Sequence, residues 1–100
     1  MEHPIYRVTS FEKIGAYTLC IVFDDASVQT IDFSPILQGP LYGALLDEIL
    51  FDKVTIDPEA HTLVWPNGAD FDPTTLHDWP VYEESMKQLV ARHVEVNVAG

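Results

Sequence analysis

Four side chains that could do chemistry lie close together in the second half of the sequence. They are Asp70, Asp72, His77 and Asp78, and His61 precedes them by a short stretch of chain. Several carboxylates are typical of sites for hard metal ions, and histidine with aspartate is typical of sites for transition metals. Histidine beside a carboxylate is also used in acid–base catalysis. The cluster therefore supports one hypothesis, a small metal-dependent or acid–base enzyme that uses Asp70, Asp72 and His77.

The spacing within the cluster favours a structural explanation instead. It matches no calcium-binding loop, and no two histidines stand three or four residues apart on one predicted helix. Asp72 precedes Pro73, which is the pattern of an N-cap followed by proline in the first helical turn, and Asp78 stands where it would cap the final helix. We therefore predict no catalytic residues, no metal site and no cofactor, and the enzyme is kept as the alternative hypothesis.

The rest of the sequence carries no motif of a known catalytic mechanism. It contains no Gly-x-Ser-x-Gly elbow, no His-Glu-x-x-His helix and no glycine-rich phosphate loop. The single cysteine, Cys20, lies in the apolar run 17–23, where it is expected to pack as a small core residue. No basic and apolar leader is visible at the N-terminus, and no segment approaches the roughly 18 apolar residues of a membrane span. We expect a cytoplasmic protein.

The charge balance argues against some partners and favours others. Acidic residues outnumber basic ones by 16 to 5, which gives a net charge of −11. The affinity of proteins for nucleic acid depends largely on Lys and Arg that neutralise phosphates, and the five basic residues here are scattered. Direct binding to nucleic acid or to an anionic membrane is therefore not expected. The charge would speed encounter with a basic partner, although a surface that only maintains solubility is the simpler explanation.

Large aromatic side chains cluster late in the chain. They are Trp65, Phe71, Trp79 and Tyr82. One hypothesis makes them an exposed anchor for a partner protein. The other places them in the core, where they would pin the last helix against the sheet. The second is favoured, because a small domain needs its large apolar side chains inside.

Hydrophobic patterning predicts an antiparallel three-stranded meander in the first third of the chain. Its strands are residues 5–11, 17–23 and 28–33. The second strand is nearly all apolar, which is typical of a central strand covered on both faces. Residues 12–15 are expected to turn the chain between the first two strands, and the Asp-Asp-Ala-Ser sequence at 24–27 has the short polar side chains of the next turn.

A second β-hairpin is predicted from residues 53–56 and 62–65, with the loop at 57–61 between them. The sequence Pro-Asn-Gly at 66–68 predicts another tight turn. A short helical turn should then begin at Asp72 and run to His77.

Three helical segments complete the prediction. Ser34 is expected to cap a short helix that Gly-Pro at 39–40 ends. A second helix is predicted over 41–49, because three apolar residues recur there at four-residue spacing, Leu41, Leu45 and Ile49. The last helix follows residue 80, with Glu83 and Lys87 in the favourable order for an ion pair. Its apolar period comprises Tyr82, Met86, Leu89, Val90 and His93.

These elements predict an α+β protein: a three-stranded antiparallel meander, a second β-hairpin, short connecting helices and a C-terminal helix. We interpret residues 1–100 as one domain, with a core at 4–78 and the C-terminal helix and tail at 79–100. The alternating tail at 94–98 is either an extra edge strand or a frayed end. As an edge strand it could pair with a second copy and form a homodimer.

The stretch 65–77 reads Trp-Pro-Asn-Gly-Ala-Asp-Phe-Asp-Pro-Thr-Thr-Leu-His. It resembles the bacterial domain-of-unknown-function family 2442, which typically shows Trp-Pro-Asn-Gly-Ala-Asp, then an acidic or polar residue, proline and leucine. Residues 19–25 resemble the family's second strand and turn, although Ala26 stands where glycine is usual. Residues 51–57 resemble the strand before the motif. The likeness covers residues 4–78.

The resemblance implies an α+β fold and carries over no catalytic residues, because the function of the family is not established. Members are often encoded beside another small protein, in an arrangement that resembles a toxin–antitoxin module. This implies that the present chain is the acidic partner. Some relatives add a helix-turn-helix domain after this one, whereas only about 20 residues follow the motif here.

The leading hypothesis is therefore a non-catalytic protein-interaction module, with a small basic protein as its partner. The residues assigned to partner binding are Trp65, Asn67, Asp70, Asp72 and Trp79. The motif also has a purely structural explanation, since Asn-Gly can supply the positive φ angles of a tight turn.

Overall fold

The computed structural model describes the backbone of residues 5–99 and the side chains of residues 5–91. Its first element is an antiparallel sheet of three strands in the order β1-β2-β3, formed by Val8–Gly15, Thr18–Phe23 and Val28–Asp32. The predicted meander is confirmed, with β2 at its centre. The α+β class predicted from the sequence is also confirmed, since helices and a second small sheet follow.

The central strand is buried on one face only. Leu19, Ile21 and Phe23 are buried, whereas the alternate residues of β2, Cys20 among them, are half-buried. The expectation that both faces would be covered is wrong, because the helices and the second hairpin pack on one side of the sheet. A strand with one covered face needs apolar residues only at every second position.

The first strand ends later than the sequence predicted. Residues 12 and 13, assigned to a turn, continue β1, and the chain reverses between Gly15 and Thr18 with Tyr17 in the left-handed region at φ 56°. Residues 12 and 13 pair with Cys20 and Leu19 of β2, and Lys13 Nζ lies 2.8 Å from Glu48 Oε2 and 2.7 Å from Asp52 Oδ1. Those two partners are more than 30 residues away in sequence, so no local pattern could indicate them.

The connection after β3 is a series of short helical pieces. A 3₁₀ turn at Ser34–Ile36 is followed by α1 at Gly39–Tyr42, a second 3₁₀ turn at Gly43–Leu46 and α2 at Glu48–Phe51. The expected helix over 41–49 is wrong, because the chain bends at Asp47.

Two details of that connection also differ from the prediction. Ser34 is not the N-cap: Phe33 holds that position without a side-chain cap, and Asp32 Oδ1 accepts from the Ser34 N–H at 3.0 Å. Asp47 caps α2 by accepting from the Ile49 N–H at 3.0 Å. Leu45 is buried but Ile49 is exposed, since the break rotates the predicted apolar face.

The second hairpin is present but short. Strands β4 (Thr55–Ile56) and β5 (Leu63–Val64) pair antiparallel, and the loop between them is closed by Asp57, whose Oδ2 accepts from the Ala60 N–H at 2.8 Å. In this loop His61 adopts a left-handed φ of 54°.

The chain ends in two helices. The predicted short turn is α3 (Pro73–His77), capped by Asp72, which accepts from the Thr74 N–H at 2.8 Å. The last helix, α4, is Trp79–Ala99. Of the two alternatives given for residues 94–98, the edge strand is wrong, since the backbone there is helical. A homodimer formed through that strand is therefore not supported. Among residues 5–99, no helix combines the length and apolar composition needed to cross a bilayer.

Only some residues of the apolar face predicted for the final helix are buried. Val90 is buried and Met86 packs against the core, but Tyr82 and Leu89 are exposed. His93 lies outside the described side chains. The predicted ion pair within the helix is confirmed, with Lys87 Nζ 3.2 Å from Glu83 Oε2.

Phe33 is the centre of the core. Its ring lies within aromatic pairing distance of four other rings, with centroids 6.1 Å from Phe51, 6.2 Å from Trp65, 5.2 Å from Phe71 and 5.8 Å from Trp79. Phe33 directly follows β3, Trp65 directly follows β5 and Phe71 precedes α3, whereas Phe51 ends α2 and Trp79 begins α4. The cluster therefore packs beneath the polar turn at residues 65–72, since Trp65 and Phe71 belong to both.

Candidate functional site

The turn after β5 is a three-residue loop. The Gly68 N–H donates to the Trp65 carbonyl at 3.0 Å, and the Trp65 N–H donates to the Ala69 carbonyl at 2.9 Å. Gly68 has φ +94°, whereas Asn67 keeps a negative φ. The loop is a tight turn followed by one left-handed residue, a geometry that glycine adopts without strain. Only one of the two positive φ angles expected from Asn-Gly is present.

Asn67 contributes through its side chain rather than its backbone. Its Oδ1 accepts from the Ala69 N–H at 3.2 Å, and its Nδ2 donates to the Leu41 carbonyl at 3.1 Å. Next to it, the Tyr42 hydroxyl donates to the Asp70 carbonyl at 2.9 Å. Burial, with a smaller contribution from the Asp70 carboxylate, raises the pKa of Tyr42. The turn is therefore joined to α1 by two hydrogen bonds.

The residues assigned to partner binding divide into two groups. Trp65 and Trp79 lie in the core with only 4% and 5% of their surface exposed, and Trp65 Nε1 donates to the Phe51 carbonyl at 2.9 Å. Asn67, Asp70 and Asp72 are exposed. The two tryptophans thus hold the turn in place from beneath, and only the three polar residues present their side chains to solvent. Their role in partner binding stays a prediction.

A second polar cluster surrounds His77. Its Nδ1 lies 2.7 Å from Asp78 Oδ1 and its Nε2 lies 2.8 Å from Asp25 Oδ2. The imidazole stacks on Tyr6 with a centroid separation of 3.6 Å and an interplanar angle of 9°. Phe23 meets the ring edge-on at 5.0 Å. His77 therefore joins the β2–β3 turn, the N-terminal segment and the junction between α3 and α4.

The two carboxylates favour the charged imidazolium. Burial alone would lower the pKa of His77, but the hydrogen bonds to Asp78 and Asp25 outweigh it and raise the pKa above its ordinary value. The hydrogen bonds from the Ser27 hydroxyl and N–H, together with that from His77, lower the pKa of Asp25 to about 2. Because both ring nitrogens are bonded to carboxylates, neither is free to accept a proton from a substrate in this conformation.

The hypothetical enzyme cluster is not assembled as the sequence suggested. His77 pairs with Asp25 and Asp78, while Asp72 serves as the cap of α3. Asp78 was expected to cap α4, but its carboxylate binds His77 and its carbonyl accepts the first helical hydrogen bond, from the Val81 N–H at 2.8 Å. Within residues 5–91, no three His, Cys, Asp or Glu side chains are grouped to hold a metal ion.

Sequence reasoning missed Asp25 and Tyr6 as partners of His77, and Ser27 as the residue that donates to Asp25. Asp25 lies 52 residues before His77, so only the folded chain brings the two together. The local signal at Asp25 was read correctly as a turn, since its Oδ1 also accepts from the Ser27 N–H at 3.0 Å. A local turn pattern contains no information about which distant side chain will contact the carboxylate.

The fold and these two clusters define a small α+β domain with a motif-bearing turn that the core supports from below. The chain belongs to the family described as protein of unknown function (DUF2442), whose model matches residues 8–82. This match confirms the resemblance seen in the sequence. No curated protein and no solved structure matches the chain significantly.

Proposed function

We propose that the chain is a non-catalytic protein-interaction module that binds a small basic protein, as the acidic member of a pair resembling a toxin and its antitoxin. The observation that carries the proposal is the surplus of acidic side chains after internal pairing. Within residues 5–91, Lys13 pairs with two carboxylates, His77 with two and Lys87 with one. The whole chain has 16 acidic and 5 basic residues and a formal net charge of −11, so its acidic side chains outnumber the cations available to pair with them.

Many of the acidic residues have a local structural use. Among the described aspartates, several accept hydrogen bonds from backbone N–H groups two or three residues further on, at turns and helix starts: Asp25, Asp32, Asp47, Asp57 and Asp72. Their type is explained by turn formation. Asp24 accepts instead from the Arg7 N–H, 17 residues away. The presence of these aspartates alone therefore does not argue for a partner.

Four exposed acidic residues do not accept hydrogen bonds of this kind. Glu12, Glu59, Asp70 and Glu84 make no side-chain hydrogen bond or ion pair with other residues of the part of the chain described here. Nothing in the local fold requires a carboxylate at these positions. They are the side chains whose charge is available to a partner, and Asp70 lies beside the Asn67 turn.

Electrostatic attraction of this kind acts mainly on the association rate and on partner choice. A strongly negative surface steers a basic protein toward it, and salt screens the attraction over about 8–10 Å at physiological ionic strength. A stable interface needs about 800 Å² from each partner, which the chain's 6129 Å² of accessible surface supplies readily. The antitoxin-like role rests on the gene arrangement typical of the family that the chain resembles.

The test is a tagged pull-down from the native cell at low and high salt, with bound proteins identified by mass spectrometry. The informative variant carries E12K, E59K, D70K and E84K, which changes the net charge from −11 to −3 without removing a turn-forming aspartate. Its matched control carries Gln or Asn at the same four positions. One dominant small basic partner is expected, lost at high salt and lost most strongly by the lysine variant.

Two results would contradict the proposal. Capture that survives high salt and is equal for the lysine variant and the wild type would remove the electrostatic argument. Absence of any enriched protein at both salt concentrations would remove the stable complex itself.

A further inference from the structure

An apolar groove lies between α1 and the middle of α4. Residues 38–42 form one wall, Leu89 and Val90 form the other, and the cavity measures about 190 Å³. Leu41 is 40% exposed and Leu89 is 54% exposed, whereas Val90 is buried at the base. Two large aliphatic side chains thus flank an open cavity on an otherwise strongly charged protein.

The first wall is held in place by hydrogen bonds to its neighbours. Gln38 Nε2 donates to the Pro35 carbonyl at 3.0 Å. The Leu41 carbonyl accepts from Asn67 Nδ2, and the Tyr42 hydroxyl donates to the Asp70 carbonyl. The Asn67 turn therefore positions this wall. This gives the polar residues of the family motif a physical connection to the groove.

The size of the groove limits what it can hold. Sites for drug-sized molecules measure about 300–1,000 Å³, which is larger. A cavity of about 150 Å³ lined by aliphatic and aromatic residues binds benzene. A groove of 190 Å³ therefore matches one aromatic side chain rather than a metabolite.

The charge around the groove indicates which kind of partner segment would carry that aromatic side chain. Asp70 lies next to the groove, because its carbonyl accepts from the hydroxyl of the lining residue Tyr42 at 2.9 Å, and its carboxylate has no ion-pair partner among residues 5–91. Lys87, on the same helix as Leu89, is occupied by Glu83. A second copy of this chain would bring another charge of −11 to the surface, and like charges oppose association.

We propose that this groove is the docking site for a single aromatic side chain, of the size of phenylalanine, in a Lys/Arg-rich segment of the partner protein. The inference deepens the proposed function and rests on it. The aromatic ring fills the space between Leu41 and Leu89, and flanking basic residues meet Asp70. Aromatic anchors surrounded by polar rims are the usual centres of binding energy in protein interfaces.

The test uses short peptides as probes and NMR of the ¹⁵N-labelled chain as the readout. The probes are Lys-Lys-Phe-Lys-Lys, Lys-Lys-Ala-Lys-Lys and Ser-Ser-Phe-Ser-Ser, each with blocked ends. The chain is used as wild type, as L89S and as V81S. Val81 is a matched control because it is 74% exposed on the same helix and does not line the groove. Circular dichroism checks that both variants fold.

The expected result is a saturable shift of the backbone amide signals of the groove residues that carry an N–H, which are 38, 39, 41, 42, 89 and 90, with the basic phenylalanine peptide. The alanine peptide should bind at least fivefold more weakly, L89S should lose that difference, and V81S should keep it. Equal binding of the phenylalanine and alanine peptides, with shifts spread over the acidic surface, would contradict the proposal that the groove is the docking site. The same result would still support an acidic interaction surface. Binding of the neutral phenylalanine peptide at the groove, with no gain from lysine, would support the groove and contradict the proposed basic partner.

Discussion

Replacing Ala26 by glycine should stabilise the protein. The β2–β3 turn has the same geometry as the turn at residues 66–68: the Ala26 N–H donates to the Phe23 carbonyl at 2.9 Å, and the Phe23 N–H donates to the Ser27 carbonyl at 3.0 Å. Ala26 occupies the left-handed position with φ +70°, where the other turn has Gly68. Glycine adopts this region of φ without the steric cost that the Ala26 Cβ incurs.

The magnitude follows from two opposing effects. A non-glycine residue in the left-handed region costs about 1–2 kcal/mol, and glycine removes that cost. Glycine also gives the unfolded chain more freedom, which costs about 0.4–1 kcal/mol. The difference between the two effects lies between about 0 and 1.6 kcal/mol, so the expected gain in the free energy of unfolding is about 0.8 kcal/mol. For a domain of this size a gain of that magnitude raises Tm by about 3–6 °C.

The assay is urea denaturation followed by tryptophan fluorescence, since Trp65 and Trp79 are both in the core. A60G is the matched control: Ala60 is exposed in a loop and has no positive φ, so the same substitution should lower the free energy of unfolding by about 0.4–1 kcal/mol. We expect the free energy of unfolding to rise in A26G and to fall in A60G. An equal loss of stability in both would refute the assignment of strain to Ala26.

Three further predictions concern His77, Phe33 and Asp72. Since the pKa of His77 is raised in the folded state, its charge stabilises the fold below its unfolded pKa of about 6.5, and this contribution is lost as pH rises through the folded pKa. The stability gap between wild type and H77Q, measured by urea denaturation, should shrink from pH 6 to pH 8; a constant gap would contradict a charged imidazole. F33A should cost about 3–5 kcal/mol in chemical denaturation, whereas the exposed-site control V28A should stay within about 0.5 kcal/mol; similar losses would show that Phe33 is not the centre of the core. D72A should lower Tm through a capping loss of about 1 kcal/mol, and D72S should restore most of it; equal losses in both would mean that the cap is not what stabilises α3.

Short-range physical chemistry made much of the fold predictable. The apolar run of β2 placed that strand at the centre of the meander, and Asp72 before Pro73 placed the start of α3. Glu83 and Lys87 were paired correctly because helical geometry brings residues four apart together. The residues of the family motif were likewise readable from the sequence. These features depend on neighbours within a few positions, and the sequence contains that information directly.

Long-range packing decided the rest. Whether Trp65 and Trp79 faced solvent or the core depended on Phe33, which lies more than 30 residues before either. His77 was predicted beside Asp70 and Asp72, and folding placed it between Asp25 and Asp78. The groove between α1 and α4 brings residues 38–42 beside Leu89 and Val90, and Asn67 bonds its first wall from a third segment of the chain. Each of these outcomes requires two segments distant in sequence to meet, and the hydrophobic effect that brings them together depends on total buried area rather than on any local pattern.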